Sequence, residues 1–294
     1  MTTRVPPPRP WRPSGIVSLL TDWGLDDPYV GVVHGVLYRD ASRLRAVVDV
    51  SHGVLPGDVS TGAFFLERSW SHFPAGTVHV AVVDPGVGTE RGLCLLEARG
   101  HVFLAPDNGL LARLITTEPQ GVLRRADERA PVRGASATFH GRDRFAPLAA
   151  RLVQGDPPAA FGERSAEHVQ IERREARRMD HGRVAAEVIH VDRFGNLITN
   201  ASPELLGATH DAGWRARWVC RVGEERLPLV RTYGEAPDSA AVALVDSFEL
   251  LEIAVRDGSA ASTLSLGKGA EVWFEPAETG RVAARAPRAR KRRA

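Results

Sequence analysis

The sequence predicts an α/β protein with an N-terminal α/β layered domain, built on a mainly parallel sheet, and a C-terminal antiparallel β-barrel-like domain. In the first half, short β-branched runs alternate with segments of helical periodicity, which is typical of a parallel sheet covered by helices. In the second half, short strand patterns follow one another with turn residues between them, which favours an antiparallel barrel. The 294 residues suffice for two domains, and 43% hydrophobic with 25% charged residues excludes a disordered or fibrous chain.

The N-terminal domain is predicted over residues 14–160. Its strands are predicted from continuous apolar runs, because a sheet buried on both faces has no polar face to alternate with. The runs are residues 16–20, 44–50, 78–83 and 101–105. The helical patterns are residues 29–40, 58–73, 108–116 and 145–155. Pro147 in the last pattern fits only a first helical turn.

A polar segment rich in Arg and Glu, residues 161–182, is predicted to link the two domains. The C-terminal domain is predicted over residues 183–280, from short strand patterns bounded by turn signals. These patterns are residues 183–192, 214–223, 225–233, 240–246, 250–255 and 270–276.

Positive charge is concentrated at the two ends of the chain. The net charge is +2, but residues 1–13 and 281–294 hold ten of the 38 Lys and Arg and none of the 36 Asp and Glu, which leaves the body at about −8. We expect both tails to be disordered. The C-terminal tail could bind RNA or an anionic surface, but we favour a solvated tail because arginine is the cation almost everywhere in this chain.

The composition also predicts the compartment. No run approaches the ~18 apolar residues of a membrane span, and the Pro-rich start lacks the apolar core of a secretory signal. Cys94 and Cys220 are far apart and form no CxxC pair, so neither a disulfide scaffold nor a thiolate zinc site is expected. We therefore expect a cytoplasmic protein that does not enter a membrane.

Acidic residues follow three of the predicted strands. Asp22, Asp84 and Asp107 each come at or just after the end of an apolar run. Ligands of open α/β sheets bind outside the carboxyl ends of the strands, so neighbouring strands would bring these acids to one crevice. A single acid at such a place is often a turn former or helix cap, as Asp107 can be for the pattern after it.

Two further residues strengthen the case for a polar site. Arg91 lies seven residues after Asp84, across the Gly-rich turn PGVG, which lacks the spacing of a nucleotide-phosphate loop. His140 lies in the loop ATFHGRD just before a helical pattern, a junction that often carries function. The other histidines form no ligand pattern such as HExxH, so no metal is expected.

Seven stretches of the chain resemble the S-adenosyl-L-methionine (SAM) hydroxide adenosyltransferases, also called SAM hydrolases, which are related to fluorinase and chlorinase. In order, from about residue 16 to 262, they are LLTDWGLDDPYVGVVHGVL, VVDVSHGVLPGDVSTGAFFL, FPAGTVHVAVVDPGVGTERG, FLAPDNGLL, ATFHGRDRFAPLAA, VIHVDRFGNLITN and the SFELLEIAV–GSAAS region. The resemblance implies an α/β domain followed by a β-barrel domain. It also implies a homotrimer whose active site lies between the N-domain of one subunit and the C-domain of its neighbour.

The resemblance also implies roles for individual residues. The Asp-Arg-His catalytic triad of the family falls on Asp84, Arg91 and His140. The acid that holds the ribose diol falls on Asp22, and Phe139 would line the reaction centre beside the ribose.

Three further residues are implied at the methionine end, and these are Asp192, Asn196 and Ser247. The adenine is expected against Phe194 or against the backbone near Ala260 and Ala261.

The chain departs from the family pattern at two positions. Trp23 stands where the family usually has Phe or Leu, and Glu249 stands where a glycine usually follows the serine of the later loop, which bears on the contact of Ser247. The halogenating relatives have tyrosine in place of Asp84, and the fluoride users have serine in place of Gly141, so this chain follows the hydroxide pattern at both.

The expected reaction is hydrolysis of SAM to adenosine and L-methionine, by in-line attack of an activated water or hydroxide on C5′ of the ribose. No cofactor is expected, because the sulfonium is already an activated leaving group. Arg91 would stabilise the nucleophile and Asp84 would orient Arg91. His140 is the natural proton acceptor, although any of the three could take the proton. The alternatives are a chlorinase-like halogenase and a SAM or adenosine sensor without turnover.

Overall fold

The computed structural model describes residues 11–126, 136–172, 174–208 and 213–277. The chain divides into two compact units, Met1–Glu172 (unit 1) and Arg173–Ala294 (unit 2). Both tails predicted to be disordered lie largely outside the described residues. The described end of the first tail is ordered, since the indole Nε1 of Trp11 donates a hydrogen bond to the carbonyl of Leu152 over 3.3 Å.

Unit 1 is built on a seven-stranded sheet in the order β2-β1-β3-β5-β4-β6-β7. The strands are β1 (Ile16–Thr21), β2 (Ala46–Ser51), β3 (Val78–Val82), β4 (Leu93–Ala98), β5 (His101–Pro106), β6 (Val122–Ala126) and β7 (Gly162–Arg164). Strands β2, β1, β3 and β5 pair in parallel, whereas β4, β6 and β7 extend the sheet by antiparallel pairs. Strand β6 thereby runs in the same direction as β5, and only β4 and β7 run the opposite way.

Helices cover both faces of this sheet. They are α1 (Tyr29–Asp40), α2 (Val59–Ser69), α3 (Ala112–Thr117) and α4 (Ala146–Gln154). The side chains of α1 and α4 share one apolar core with the sheet, and those of α2 and α3 share a second core on its other face. Unit 1 is therefore a three-layer α/β/α structure, as continuous apolar strands require.

Several elements of unit 1 differ from the sequence prediction. Strands β4 and β6 were not predicted; they add an antiparallel extension beyond the β-α-β pattern. Helix α3 begins at Ala112 rather than at residue 108, because Asn108 folds back and its side-chain oxygen accepts from the backbone N–H of Leu110. The segment 161–182, predicted as a linker, carries β7 and a second short strand, Arg177–Arg178.

Unit 2 is an eight-stranded antiparallel sheet. Its main path has the order β12-β11-β15-β9-β10-β14-β13, with β8 paired on β9. The elements are β8 (Arg177–Arg178), β9 (Val184–Val191), β10 (Leu197–Thr199), β11 (Trp218–Val222), β12 (Glu225–Pro228), β13 (Ala241–Val245), β14 (Leu251–Val255), the short helix α5 (Ala260–Leu264) and β15 (Glu271–Pro276).

The sheet of unit 2 curls into a nearly closed barrel, because a bridge between Leu229 and Ala243 brings its two ends together. One face packs a single apolar core that includes Cys220, Ile253 and Phe274. The predicted fold class, α/β followed by an antiparallel barrel-like module, is confirmed. Among the described residues, no helix is both long and apolar enough to span a membrane.

Candidate active site

The topology of unit 1 places three acidic residues at one edge of the sheet. Asp22, Asp84 and Asp107 follow β1, β3 and β5, which are neighbours and run in parallel. Asp107 makes structural contacts within unit 1. It is buried, and its carboxylate accepts hydrogen bonds from the backbone N–H of Val169 over 2.8 Å and from Arg125 over 3.3 Å. Asp22 and Asp84 remain as candidates for a site.

Asp84 and Arg91 form a close ion pair across the glycine-rich loop. The Nε of Arg91 donates to both carboxylate oxygens of Asp84 over 3.0 Å, and its Nη2 also contacts Oδ2. Both side chains are nearly enclosed, with 9% of Arg91 and 5% of Asp84 exposed. Removal from water strengthens this charge-assisted contact, so the guanidinium is held in one orientation.

His140 joins this pair from a distant part of unit 1. Its Nδ1 lies 2.9 Å from Nη2 of Arg91. The approach depends on Gly88, which has a φ of +81°. A Cβ added to Gly88 would lie 2.8 Å from the carbonyl oxygen of Ala137, so only glycine fits at this position. The three residues of the predicted triad are thus brought into contact, with Arg91 in the middle.

The backbone after His140 is held in an unusual turn. Residues Gly141–Phe145 form a π-helical turn that leads into α4. Asp143 fixes it by accepting from the backbone N–H of Ser136 over 2.8 Å and by pairing with Arg142 at 2.6 and 2.7 Å. The Arg142 guanidinium holds the pKa of the Asp143 carboxyl below its usual range. Turns of this kind are frequent at functional sites.

Asp22 and Phe139 lie in segments flanking the triad. The Oδ2 of Asp22 accepts from the backbone N–H of Gly57 over 2.8 Å. Phe139 precedes His140 and makes edge contacts with Trp23 and Tyr29, with ring centroids 5.5 and 5.2 Å apart. An aromatic cluster therefore links Trp23, the residue after Asp22, to Phe139, the residue before His140.

In unit 2, one turn carries three of the predicted binding residues, and a fourth, Ala261, packs on it. The Oδ1 of Asp192 accepts from the backbone N–H of Phe194 and Asn196, and its Oδ2 accepts from the Asn196 amide over 3.0 Å. The N–H of Ala261 donates to the carbonyl of Gly195 over 2.9 Å, so the start of α5 packs on this turn. Phe194 is 75% exposed, which leaves its ring open to a ligand.

Ser247 lies on a separate turn, between β13 and β14. The Oδ1 of Asp246 accepts from the backbone N–H of Phe248 and Leu250 over 2.8 and 2.9 Å and so closes the turn. Glu249, which replaces the usual glycine, adopts a φ of +60°. The left-handed backbone that glycine favours is therefore kept despite the substitution, and Ser247 remains exposed at the tip of the turn.

Comparison with known proteins assigns the chain to a family. Residues 17–162 match the SAM hydroxide adenosyltransferase N-terminal domain, and residues 186–273 match the corresponding C-terminal domain. The chain is 39% identical to an (R)-S-adenosyl-L-methionine hydrolase of Thermus thermophilus, over 87% of this chain and 98% of that protein. It is 41% identical to a protein of the same name from Salinispora tropica, over 89% and 96%. The chain belongs to the SAM hydroxide adenosyltransferase family.

The fold and the more distant relatives agree with this assignment. A crystal structure of an uncharacterized conserved protein from Thermotoga maritima superposes with a TM-score of 0.81 at 33% identity, covering 88% of this chain and 99% of that one. A fluorinase of Nocardia brasiliensis is 28% identical over 87% of this chain and 95% of that protein. The resemblance drawn from the sequence motifs is confirmed, and the enzyme belongs with the hydrolases more closely than with this fluorinase.

Sequence reasoning missed two residues of this hydroxide adenosyltransferase, Glu252 and Tyr233. Glu252 is 2% exposed on β14 and accepts a hydrogen bond from the hydroxyl of Tyr233. Its strand register pairs it with Ile198 of β10, two residues after Asn196. Burial raises the pKa of Glu252 to about 7, and the charges of Asp246 and Asp192 add to the rise. The available signal was an isolated acid within the apolar run LLEIAV.

No metal centre was expected from the sequence. Within residues 11–126, 136–172, 174–208 and 213–277, no group of three or more His, Cys, Asp or Glu side chains is placed to hold a metal ion.

Proposed function

We propose that this enzyme hydrolyses SAM to adenosine and L-methionine, with water attacking C5′ of the ribose in line with the departing sulfur. Family membership and the two hydrolases at 39% and 41% identity support the activity. The observation that carries the assignment to residues is the direct contact of Asp84, Arg91 and His140 at the carboxyl edge of the unit 1 sheet.

The chemistry requires a nucleophile at a pH where hydroxide is scarce. The water oxygen forms a bond to C5′ while the C5′–S bond breaks, and the electron pair of that bond neutralises the sulfonium to give the methionine thioether. Opposite charges cancel in the transition state, so a dry and preorganised pocket favours the reaction over bulk water. Arg91 would stabilise the developing hydroxide through a charge-assisted hydrogen bond.

The hydrogen bonds suggest how the proton is handled. A guanidinium has only N–H donors, so Nδ1 of His140 accepts from Arg91, and the neutral ring then carries its proton on Nε2. In this state His140 donates to the water oxygen and orients it. The carboxylate of Asp84 keeps lone pairs beyond those that Arg91 occupies, and we assign it as the group that takes the proton from water.

Substrate recognition follows from the remaining predicted residues. Asp22 would accept from the ribose hydroxyls, with Phe139 lining the ribose. Asp192 would pair with the ammonium of the methionine moiety, and Asn196 and Ser247 would bind its carboxylate end. The adenine would rest on Phe194 and on the backbone at Ala261. The reaction as proposed uses no cofactor, because the sulfonium is already an activated leaving group.

Assembly and compartment belong to the same proposal. The family resemblance supports a homotrimer in which each active site takes catalytic residues from one subunit and binding residues from its neighbour. Cys94 and Cys220 are buried free thiols, which fits a reducing cytoplasm.

Chromatography of products tests the proposed function. The purified protein is incubated with SAM, with and without chloride or fluoride, and the nucleosides are identified by mass spectrometry. Adenosine and methionine in equal amounts, independent of halide, are expected, because the Asp84 carboxylate repels an anion at the reaction centre. A 5′-halogenated nucleoside would establish a halogenase instead, and recovery of bound, unchanged SAM would establish a sensor.

A further inference from the structure

Gly141 and Trp23 compete for one space beside His140. A Cβ added to Gly141 would lie 2.3 Å from Cη2 and 2.6 Å from Cζ2 of the Trp23 indole, and 3.2 Å from a ring carbon of Phe139. Non-bonded carbon atoms in a close-packed interior do not come this close, because their van der Waals radii would overlap. The tip of the indole therefore fills the volume that any side chain at position 141 would occupy.

Trp23 is anchored on both sides. Its backbone N–H donates to Oγ1 of Thr21 over 3.3 Å, and that hydroxyl is bonded to Nδ1 of His52 over 2.7 Å. The N–H of Gly24 donates to the carbonyl of His52 over 2.9 Å. The indole also makes an edge contact with Phe139. The backbone that carries the indole is therefore fixed before and after Trp23, and the ring of Phe139 packs against the indole.

The filled space adjoins the proposed position of the nucleophile. Gly141 is the next residue after His140, both are buried, and His140 contacts Arg91. The indole atoms at this point, Cζ2 and Cη2, are carbons without a hydrogen-bond donor, and they occupy the volume beside Gly141. We infer that Trp23 is a specificity-determining residue, whose indole restricts the reaction centre to a nucleophile the size of one water molecule.

This inference rests on the proposed function and predicts what a smaller residue does. In Trp23→Leu, the space beside Gly141 opens while the loop keeps an apolar side chain. Methanol then fits: its oxygen bonds to C5′, the C5′–S bond breaks, methionine leaves with the electron pair, and the hydroxyl proton goes to the acceptor that serves water. The product is 5′-O-methyladenosine.

The experiment is a product partition in buffer containing methanol. The ratio of 5′-O-methyladenosine to adenosine is measured for wild type, Trp23→Leu and the control Trp70→Leu, which removes a tryptophan packed against His101 and Phe103. We expect the ratio to rise at least about tenfold in Trp23→Leu and to stay unchanged in the control, since one methylene in a pocket is worth about that discrimination. An unchanged ratio in Trp23→Leu overturns the inference.

A second pair of variants keeps the test valid if folding is affected. In the wild-type background, Gly141→Ala is expected to lower turnover at least about 100-fold. In the Trp23→Leu background, the loss of turnover caused by Gly141→Ala should be at least about tenfold smaller, because the clash with the indole is gone. Equal losses in both backgrounds overturn the inference. Failure of the wild type to release adenosine from SAM would instead overturn the proposed function.

Discussion

The two units assemble their candidate residues in different ways. In unit 1, the side chains of Asp84, Arg91 and His140 contact one another directly. In unit 2, the carboxylates of Asp192 and Asp246 each accept from two backbone N–H groups and thereby shape the turns on which the binding residues stand. The contrast suggests a coupled catalytic cluster in unit 1 and independent binding positions in unit 2.

The largest expected effect is the loss of any triad member. Asp84→Ala, Arg91→Ala and His140→Ala are each expected to lower kcat by about 10³-fold or more, while the affinity for SAM stays within about tenfold. Because the three residues act as a unit, a double variant should be little worse than a single one. Steady-state kinetics and calorimetric titration with SAM measure the two quantities. Full activity in all three single variants would contradict the catalytic assignment.

The role of His140 gives a sharper and smaller difference. An asparagine amide can accept from Arg91 and donate to water, but it cannot take a proton. If His140 orients water, the kcat of His140→Asn should be about 10-fold or more higher than the kcat of His140→Ala. Equal kcat in the two variants would contradict the orienting role and favour His140 as the base, the proton acceptor expected from the sequence.

The independent binding positions of unit 2 predict an effect on KM. Asp192→Asn keeps an oxygen that accepts the backbone N–H groups but removes the charge facing the substrate ammonium. The KM for SAM should rise about 10- to 100-fold with kcat within about threefold. The matched control is Asp246→Asn, the same change in the other turn, for which KM is expected within about threefold. A fall in kcat of the size seen for the triad would contradict the separation of roles.

Buried ionisable groups away from the triad extend the comparison between the units. In unit 1, His79 is buried, with Nδ1 2.7 Å from Ser18 and Nε2 3.0 Å from His101. Burial, with a smaller contribution from His101, lowers the pKa of His79 to about 3. In unit 2, burial raises the pKa of Glu252 to about 7. In each unit, burial therefore favours the neutral form of one group, a base in unit 1 and an acid in unit 2.

The two groups give pH dependences of opposite sign. His79 favours the folded state above the ordinary histidine pKa, and this contribution declines as the pH falls from about 6.5 towards 3, by about 2 kcal/mol down to pH 5. Glu252 favours the folded state below the ordinary glutamate pKa, and its contribution declines by about 2 kcal/mol as the pH rises from about 5 to 7.

Urea unfolding of variants separates the two contributions. As the pH rises from 5 to 8, the stability of Glu252→Gln relative to wild type should increase. As the pH falls from 6.5 to 4.5, the stability of His79→Gln relative to wild type should increase. The exposed Glu224→Gln serves as a control for the loss of a surface carboxylate. Differences that do not vary with pH would show that neither group titrates as its burial implies.

Much of the fold followed from local pattern. Continuous apolar runs identified β1, β2, β3 and β5, since a doubly covered sheet demands them. Strands β4 and β6 were not predicted, because nothing in the β-α-β periodicity distinguishes strands added at the edge of the sheet from a loop. In unit 2, the predicted strand 214–223 begins only at Trp218, after a 3₁₀ turn over Trp214–Arg217.

The site was predictable in part. The strand-end positions of Asp22 and Asp84 and their neighbouring strands follow from α/β topology. The contact between Arg91 and His140 joins residues 49 apart in sequence and depends on the loop packing at Gly88, which no local pattern encodes. The exclusion of a side chain at Gly141 by Trp23 likewise emerges only from tertiary packing.

The most direct measurement follows one oxygen atom. Wild-type enzyme is incubated with SAM in water enriched in oxygen-18, and the products are analysed by mass spectrometry. Attack of water on C5′ predicts one labelled oxygen in adenosine, at the 5′-hydroxyl, and none in methionine. Unlabelled adenosine, or a nucleoside product without the 5′-hydroxyl, would contradict the account.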